Sequence, residues 1–331
     1  MSRLVLVAGV GRSGTSLMTG ILGQVGFHIP QPEIGADETN PRGFGEPEWV
    51  VNFHKRMMRR LRVTVFDARP RAWEVTDAAA DDDALRSELR QWLKRELDQA
   101  DAVVVKDPRV GWFLPLWTGC ASDVGAPSSF ICMMRHPAEI LFSARKWYGD
   151  WQTDASRAAA WLNVMLETER GTRDMPRAFV RYDDLLADWE RELRRAGDAL
   201  GDPLLSGMDR SRFPAVDEFV DPSLRRSPRG WDGLDVPAPV RELVERVWGE
   251  FQPLADAGGD EERVRAALEV SHAEYNALYG EAEAISQSSV TAVKPRKKAA
   301  AAAPPTLRVR VARRIPPSAR QRLRRLVGRA R

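Results

Sequence analysis

A glycine-rich turn near the start of the chain, VAGVGRSGTS at residues 7–16, constrains the fold more than any other segment. It follows an apolar run at residues 4–8 that predicts a buried strand, and it overlaps the start of residues 13–25, whose apolar spacing predicts a helix. A strand, a glycine-rich turn and a helix in this order form an anion-binding unit. The glycines let the backbone approach an oxyanion, and the first N–H groups of the helix point toward it. We therefore expect this turn to bind a phosphorylated or sulfated ligand.

Strand and helix patterns alternate along the rest of the chain. Apolar runs at residues 102–105, 130–134 and 179–180 predict three more strands, and residues 28–47 predict a long loop. Further helices are predicted at residues 49–61, 84–97, 137–147, 155–170, 183–200, 239–251 and 261–279. This alternation is typical of an α/β fold in which helices flank a central parallel sheet.

The turn departs from the phosphate loop of kinases at one position. Its glycine spacing matches the start of a Walker A motif, but Thr15 stands where that motif has lysine. A kinase uses this lysine and Mg²⁺ to neutralise a triphosphate, so its loss favours a less charged ligand. A plain glycine-rich turn is the structural alternative. The guanidinium of Arg12 and the hydroxyls of Ser13 and Ser16 favour an anion instead.

A second anion motif begins where the third predicted strand ends. Arg135 ends that strand, and Ser143 follows about two helical turns later. Together these side chains can bind a second phosphate. Taken singly, Arg135 is explained by a strand-end salt bridge and Ser143 by a hydrogen bond to its own helix backbone. Because both motifs follow strands of one parallel sheet, we expect them at the same edge.

The two motifs resemble those of the PAPS-dependent sulfotransferase family, including its bacterial members, where PAPS is 3′-phosphoadenosine 5′-phosphosulfate. The resemblance implies a P-loop NTPase-like architecture and transfer of a sulfuryl group from PAPS, as donor co-substrate and without a metal, to a hydroxyl or amine. It implies that the 5′-phosphate and the transferred sulfate are bound by Arg12, Ser13, Gly14, Thr15 and Ser16. It likewise implies that Arg135 and Ser143 bind the 3′-phosphate. Many family members carry lysine where this chain has Arg12.

Two weaker segments extend the resemblance. Tyr182 lies in a segment similar to one that follows a strand in the family, which implies contact with the adenine. An interfacial tyrosine beside a helix cap explains it equally well. Arg225 and Arg226 lie in a segment similar to a late one in bacterial members, and either is expected to close over the 3′-phosphate. The glycine-rich closing motif of the family is present only as a fragment at residues 229–231.

Sulfuryl transfer requires a base for the acceptor proton and a cation near the leaving oxygen. Lys106 ends the second predicted strand and resembles the family's lysine at that place. Many cytosolic members have a catalytic histidine two residues later, where this chain has Pro108. Members that act on sugars or protein tyrosines use a glutamate instead, and Glu46 is our candidate among the carboxylates of the long loop. A solvated acidic loop is the alternative, and His54 is a second candidate base.

The class of acceptor is indicated only by the aromatic residues of the chain. Among 11 tryptophans, several are expected near the site: Trp49, Trp112, Trp117, Trp147 and Trp151. Aromatic faces stack on sugar rings, which gives a mild preference for a carbohydrate or glycolipid over another small-molecule acceptor. Packing in the core is the alternative for most of them.

The end of the chain has a different composition. Residues 286–331 hold 14 of the 50 Lys and Arg residues and no acid, which leaves a net charge of −11 on residues 1–285. We predict a sulfotransferase domain at 1–285, an Ala/Pro/Lys-rich linker at 286–305 and a basic, amphipathic tail at 306–331. The tail suits peripheral contact with an anionic membrane or an acidic polymer, and no specific nucleic acid is expected.

Two cysteines, scattered histidines and the absence of a long apolar run favour a cytoplasmic, at most membrane-peripheral protein with no metal site. Two other functions stay open. One is a small-molecule kinase of the P-loop class. The other is a nucleotide- or nucleic-acid-binding module that uses the basic tail.

Overall fold

The computed structural model describes residues 2–149, 151–221, 223, 230–256 and 262–293. Within these residues the strands are β1 Arg3–Ala8, β2 Ala102–Lys106, β3 Ser128–Met134 and β4 Arg177–Arg181. The helices are α1 Thr15–Gln24, α2 Glu48–Leu61, α3 Ala72–Asp77, α4 Asp83–Leu97, α5 Leu114–Asp123, α6 Pro137–Tyr148, α7 Asp154–Gly171, α8 Tyr182–Ala187, α9 Trp189–Leu200, α10 Pro203–Ser206, α11 Pro214–Phe219, α12 Ala238–Asp256 and α13 Glu262–Val293. The predicted α/β fold class is confirmed.

The described strands form one parallel sheet with the order β2-β1-β3-β4. In the register of this sheet, Leu4 of β1 pairs with Val103 on one side and with Ser128 on the other. Because the strands are parallel, their carboxyl ends meet at one edge. The chain leaves β1 for β2 on one side and later returns to β3 on the other, so the turn after β1 lies at a topological switch point, where such folds bind ligands.

Each face of the sheet is covered by its own apolar cluster. Leu4 and Leu6 belong to one cluster, and Val5 and Val7 belong to the other, since neighbouring residues of a strand point to opposite faces. A strand buried on both faces reads as a continuous apolar run, which is why β1 is so visible in the sequence. The two cysteines are also buried, as expected of small core residues.

The predicted helix at 183–200 is wrong in one respect, because it is two helices. Asp188 separates α8 from α9, and its side chain accepts a hydrogen bond from the backbone N–H of Arg191. An aspartate in this role begins a new helix, so the sequence carried the signal for the break. The tryptophan-containing helix α5 and the short α3 were not predicted.

Packing divides the chain into two units, Met1–Gly280 and Glu281–Arg331. The first unit contains the sheet. Residues 286–293, predicted as the start of a loop-like linker, are helical instead, because α13 continues to Val293. The rest of the predicted linker and the tail at 306–331 lie outside the described residues. Among the described helices, none has both the length and the apolar content to cross a membrane.

Candidate active site

A cleft of about 340 Å³ opens at the carboxyl edge of the sheet. The side chains that line it include the cations Arg12, Arg42, Lys106, Arg109, Arg135 and Lys146, and the acids Glu46 and Asp221. This excess of positive charge in a concave surface suits a ligand with several negative charges.

The glycine-rich turn forms one wall of the cleft. Arg12 has φ of 74° and Gly14 has φ of 102°, so the turn uses positive-φ backbone at two positions, as anion-binding turns do. No side chain caps α1, and Thr15 and Ser16 of its first turn line the cleft. The hydroxyl of Ser13 is buried and has no hydrogen-bond partner among the described residues, but Ser13 is not among the residues that line the cleft.

The two predicted anion motifs meet in this cleft. Arg12 donates from Nε to Oγ of Ser143 at 2.9 Å, and Arg135 donates from Nη1 to the carbonyl oxygen of Arg12 at 3.1 Å. Arg135 also donates from Nε to the buried carboxylate of Glu139 at 2.8 Å. The salt bridge proposed as an alternative for Arg135 therefore exists, yet the guanidinium still lines the cleft. Both motifs face one cavity.

Lys106 and Glu46 form an ion pair inside the cleft. The Nζ of Lys106 lies 2.5 Å from Oε1 of Glu46, and the two residues are 2% and 8% exposed. The same Nζ donates to Oγ of Ser16 at 3.1 Å and to the carbonyl of Phe44 at 3.2 Å. The ammonium thus joins the end of β2, the first turn of α1 and the long loop.

Gly45 lets the long loop place this carboxylate. Its φ is +63°, and a Cβ there would lie 2.7 Å from Cγ2 of Thr19 on α1. A larger residue would push the loop away from α1, and Glu46 with it.

A family model described as "Sulfotransferase family" matches residues 5–205. The chain belongs to the sulfotransferase family. This match includes most of β1, all of β2 to β4 and every described residue that we assigned to phosphate binding or catalysis.

Comparison with solved structures finds the sulfotransferase domain of the Synechococcus PCC 7002 olefin synthase. It is 17% identical, with a TM-score of 0.38, and the match covers 74% of this chain and 95% of that one. No curated protein sequence matches the chain. The assignment therefore depends on the family match.

Tyr182 of this sulfotransferase lies between the two anion motifs. The guanidinium carbon of Arg135 is 4.5 Å from the centre of its ring, a cation–π contact. The ring also covers Gly14, where a Cβ would come within 2.4 Å of it. Tyr182 is thus a wall of the cleft, and its predicted contact with adenine stays a prediction. Arg225 and Arg226 lie outside the described residues.

Most of the tryptophans expected near the site are core residues instead. Trp112 and Trp117 are fully buried, and Trp49 stacks between Phe53 and Trp92. Trp147 lines the cleft, whereas Trp151 is exposed and does not. Tryptophan count could not separate these roles, because a large aromatic side chain serves the core and a binding wall equally well.

His54 is a poor candidate for the base. It is fully buried, its Nε2 accepts a hydrogen bond from Trp117 at 2.9 Å, and its Nδ1 lies 3.5 Å from Oδ1 of Asp107. The sequence carried this signal, because His54 lies one helical turn after Val50 and one before Met58, on the apolar face of α2.

Sequence reasoning assigned no role to three side chains of the cleft. Arg42 donates to the backbone carbonyls of Glu218 and Phe219 and so joins the long loop to α11. Tyr148 lines the mouth at the end of α6, and burial raises the pKa of its hydroxyl. Arg109 is held by Asp107. The signal for Arg109 was present, since Asp-Pro-Arg directly follows Lys106 at a strand end.

Proposed function

We propose that this sulfotransferase uses PAPS and passes its sulfuryl group to a hydroxyl or amine. The observation that carries the proposal is that Arg12 and Arg135, which follow two adjacent strands, line one cleft with an excess of positive charge. PAPS carries its anionic groups at both ends of one ribose, so it needs two anion sites in a shared cavity.

In this proposal the glycine-rich turn, including Arg12, Ser13, Gly14, Thr15 and Ser16, binds the 5′-phosphosulfate. Arg135 and Ser143 bind the 3′-phosphate, and Tyr182 contacts the adenine. The uncapped start of α1, whose Thr15 and Ser16 line the cleft, supports the first assignment. The hydrogen bond from Arg12 to Ser143 supports the second, because it joins the two motifs directly.

The ion pair of Glu46 and Lys106 supplies the chemistry. Glu46 accepts the proton of the acceptor while the acceptor oxygen or nitrogen forms a bond to sulfur. The bond from sulfur to the bridging oxygen breaks, and adenosine 3′,5′-bisphosphate leaves with that electron pair. Lys106 stabilises the charge that develops on the leaving oxygen. Its contact with Ser16 of the phosphate turn supports this role.

The chemical class of the acceptor is the least specific part of the proposal. A carbohydrate or glycolipid is mildly favoured, and Trp147 is the tryptophan from our candidates that lines the cleft. Contact of the tail with an anionic membrane or acidic polymer, and a cytoplasmic location, remain proposals that depend on the sequence alone.

The donor is tested most directly by ligand-dependent thermal unfolding. Adenosine 3′,5′-bisphosphate should raise the melting temperature more than ATP with Mg²⁺ or AMP, because only it presents phosphates to both anion sites. Transfer of labelled sulfate from PAPS to a panel of hydroxyl and amine acceptors then tests the reaction. Stronger stabilisation by ATP with Mg²⁺ would favour the kinase function, and loss of nucleic-acid binding on removal of residues 286–331 would favour the binding module.

A further inference from the structure

Arg109 is a cation of the cleft to which the proposed donor site assigns no role. It lines the cavity, with its side chain 17% exposed. Its backbone N–H donates to Oδ1 of Asp107 at 2.6 Å, and its Nη1 donates to Oδ2 at 2.7 Å. Two contacts with one carboxylate fix both the backbone and the guanidinium. The guanidinium of Arg109 is therefore held in one orientation.

The carboxylate of Asp107, which binds Arg109, also lies close to His54. Asp107 is fully buried, and Nδ1 of His54 lies 3.5 Å from its Oδ1. Trp117 donates to the other nitrogen of that imidazole at 2.9 Å, so Nδ1 is the nitrogen of His54 that faces Asp107. Burial alone would raise the pKa of Asp107, but His54 and Arg109 outweigh it and lower this pKa to about 2. The chain of contacts from Trp117 to Arg109 thus ends in the cleft.

The guanidinium retains donors for a ligand. Arginine has five N–H donors, and in the described part of the chain the side-chain hydrogen bond of Arg109 uses Nη1 alone. The remaining edge of the planar guanidinium matches a carboxylate, which can accept two parallel hydrogen bonds.

Tyr148 relates Arg109 to the catalytic pair. Tyr148, Glu46 and Arg109 all line this cleft. The base and the guanidinium therefore share one cavity. The ring of Tyr148, which lines the cleft, lies 6.0 Å from the ring of Phe66, which does not.

We propose that Arg109 binds a carboxylate of the acceptor, so that the substrate class is a hydroxy acid. The hydroxyl of this acid is placed at Glu46 while its carboxylate lies on the free edge of Arg109. This inference rests on the proposed function, because it assigns the acceptor side of the same cleft. A uronic acid would meet both conditions, because it has a carboxylate for Arg109 and is a carbohydrate, the acceptor class that is mildly favoured.

Paired probes test the proposal by direct binding. Glucuronate is compared with glucose, and 4-hydroxybenzoate with 4-hydroxybenzamide, by calorimetry on the full chain saturated with adenosine 3′,5′-bisphosphate. In the wild type, at least one acid should bind about 10- to 100-fold more tightly than its neutral partner. Arg109→Ala should abolish this preference, and Arg109→Lys should keep part of it. Arg56→Ala, which removes an exposed surface arginine paired with Glu88, is the matched control and should leave the preference unchanged.

Several outcomes would overturn the proposal. One is equal binding of acid and neutral probes to the wild type, and another is an acid preference that survives in Arg109→Ala. A third is a loss of affinity for adenosine 3′,5′-bisphosphate in Arg109→Ala, which would place Arg109 on the donor side. Arg109→Gln replaces Arg109→Ala if the latter melts far below the wild type. Failure of adenosine 3′,5′-bisphosphate to bind would contradict the proposed donor. It would not affect the test of Arg109, because the preference for acid probes can also be measured without nucleotide.

Discussion

The Nζ of Lys106 lies 2.5 Å from a carboxylate oxygen of Glu46, although 60 positions separate the two residues. A buried ion pair is stable only when further hydrogen bonds satisfy its charges, and here Ser16 and the carbonyl of Phe44 accept from the same ammonium. The pair therefore fixes the long loop against the phosphate turn. This arrangement places a carboxylate and a cation where the proposed transfer takes place.

Replacing Glu46 should separate catalysis from donor binding. We expect Glu46→Gln to lower kcat by roughly 10²- to 10³-fold, because the amide cannot accept the acceptor proton. The affinity for adenosine 3′,5′-bisphosphate should change little. Glu38→Gln is the control, since Glu38 is an exposed residue of the same loop that does not line the cleft. Retention of wild-type kcat in Glu46→Gln, measured with labelled PAPS, would assign the base elsewhere.

Removing the second anion site should weaken donor binding. We expect Arg135→Ala to raise the Kd for adenosine 3′,5′-bisphosphate by about 10- to 100-fold, because it loses charge-assisted hydrogen bonds to the 3′-phosphate. The affinity for AMP, which has no 3′-phosphate, should change much less. Calorimetric titration of both nucleotides measures the difference. An equal loss for the two nucleotides would mean that Arg135 acts on the fold of the cleft rather than on the 3′-phosphate.

Gly14 should tolerate no side chain. We expect Gly14→Ala to lower the free energy of unfolding by roughly 2–4 kcal/mol, because it combines left-handed backbone with a clash against the Tyr182 ring. Gly26→Ala is the matched control. Gly26 has a similar φ of +109° but nothing within 4 Å of a Cβ, so its cost should be roughly 1–2 kcal/mol.

A substitution of Tyr182 separates the cost of the clash from the cost of left-handed backbone at Gly14. In a Tyr182→Ala background, Gly14→Ala should cost no more than Gly26→Ala does in the wild type, as measured by urea unfolding. If the cost of Gly14→Ala is the same in both backgrounds, contact with Tyr182 is not its cause.

The carboxylate of Asp107 should contribute stability that acid removes. Its pKa is lowered from 3.8 to about 2 in the folded chain, so the unfolded chain binds the proton first as the pH falls. The contribution is complete above pH 5 and is lost between about pH 4 and pH 2. We expect the difference in unfolding free energy between wild type and Asp107→Asn to shrink by roughly 1–2 kcal/mol from pH 6 to pH 2.5. A difference that stays constant over this range, in urea titrations at each pH, would contradict the lowered pKa.

The sequence by itself determined the four strands, most of the longer helices and the two anion motifs. Each of these depends on neighbours in the chain: the apolar run of β1, the glycines and hydroxyls after it, and the spacing from Arg135 to Ser143. Such local patterns are readable because hydrophobic periodicity and turn chemistry act over a few residues. Their placement at one edge also followed, since parallel strands end together.

Only the tertiary structure decided which side chains complete the cleft. The pairing of Glu46 with Lys106 and the hydrogen bond from Trp117 to His54 join residues that are 60 and 63 positions apart in the chain. The long loop has no periodicity, so the sequence offers Glu46 only as one candidate among several carboxylates, and the packing of Gly45 against α1 places it beside Lys106. Contacts of this kind arise from the packing of whole elements against each other, which no short stretch of sequence encodes.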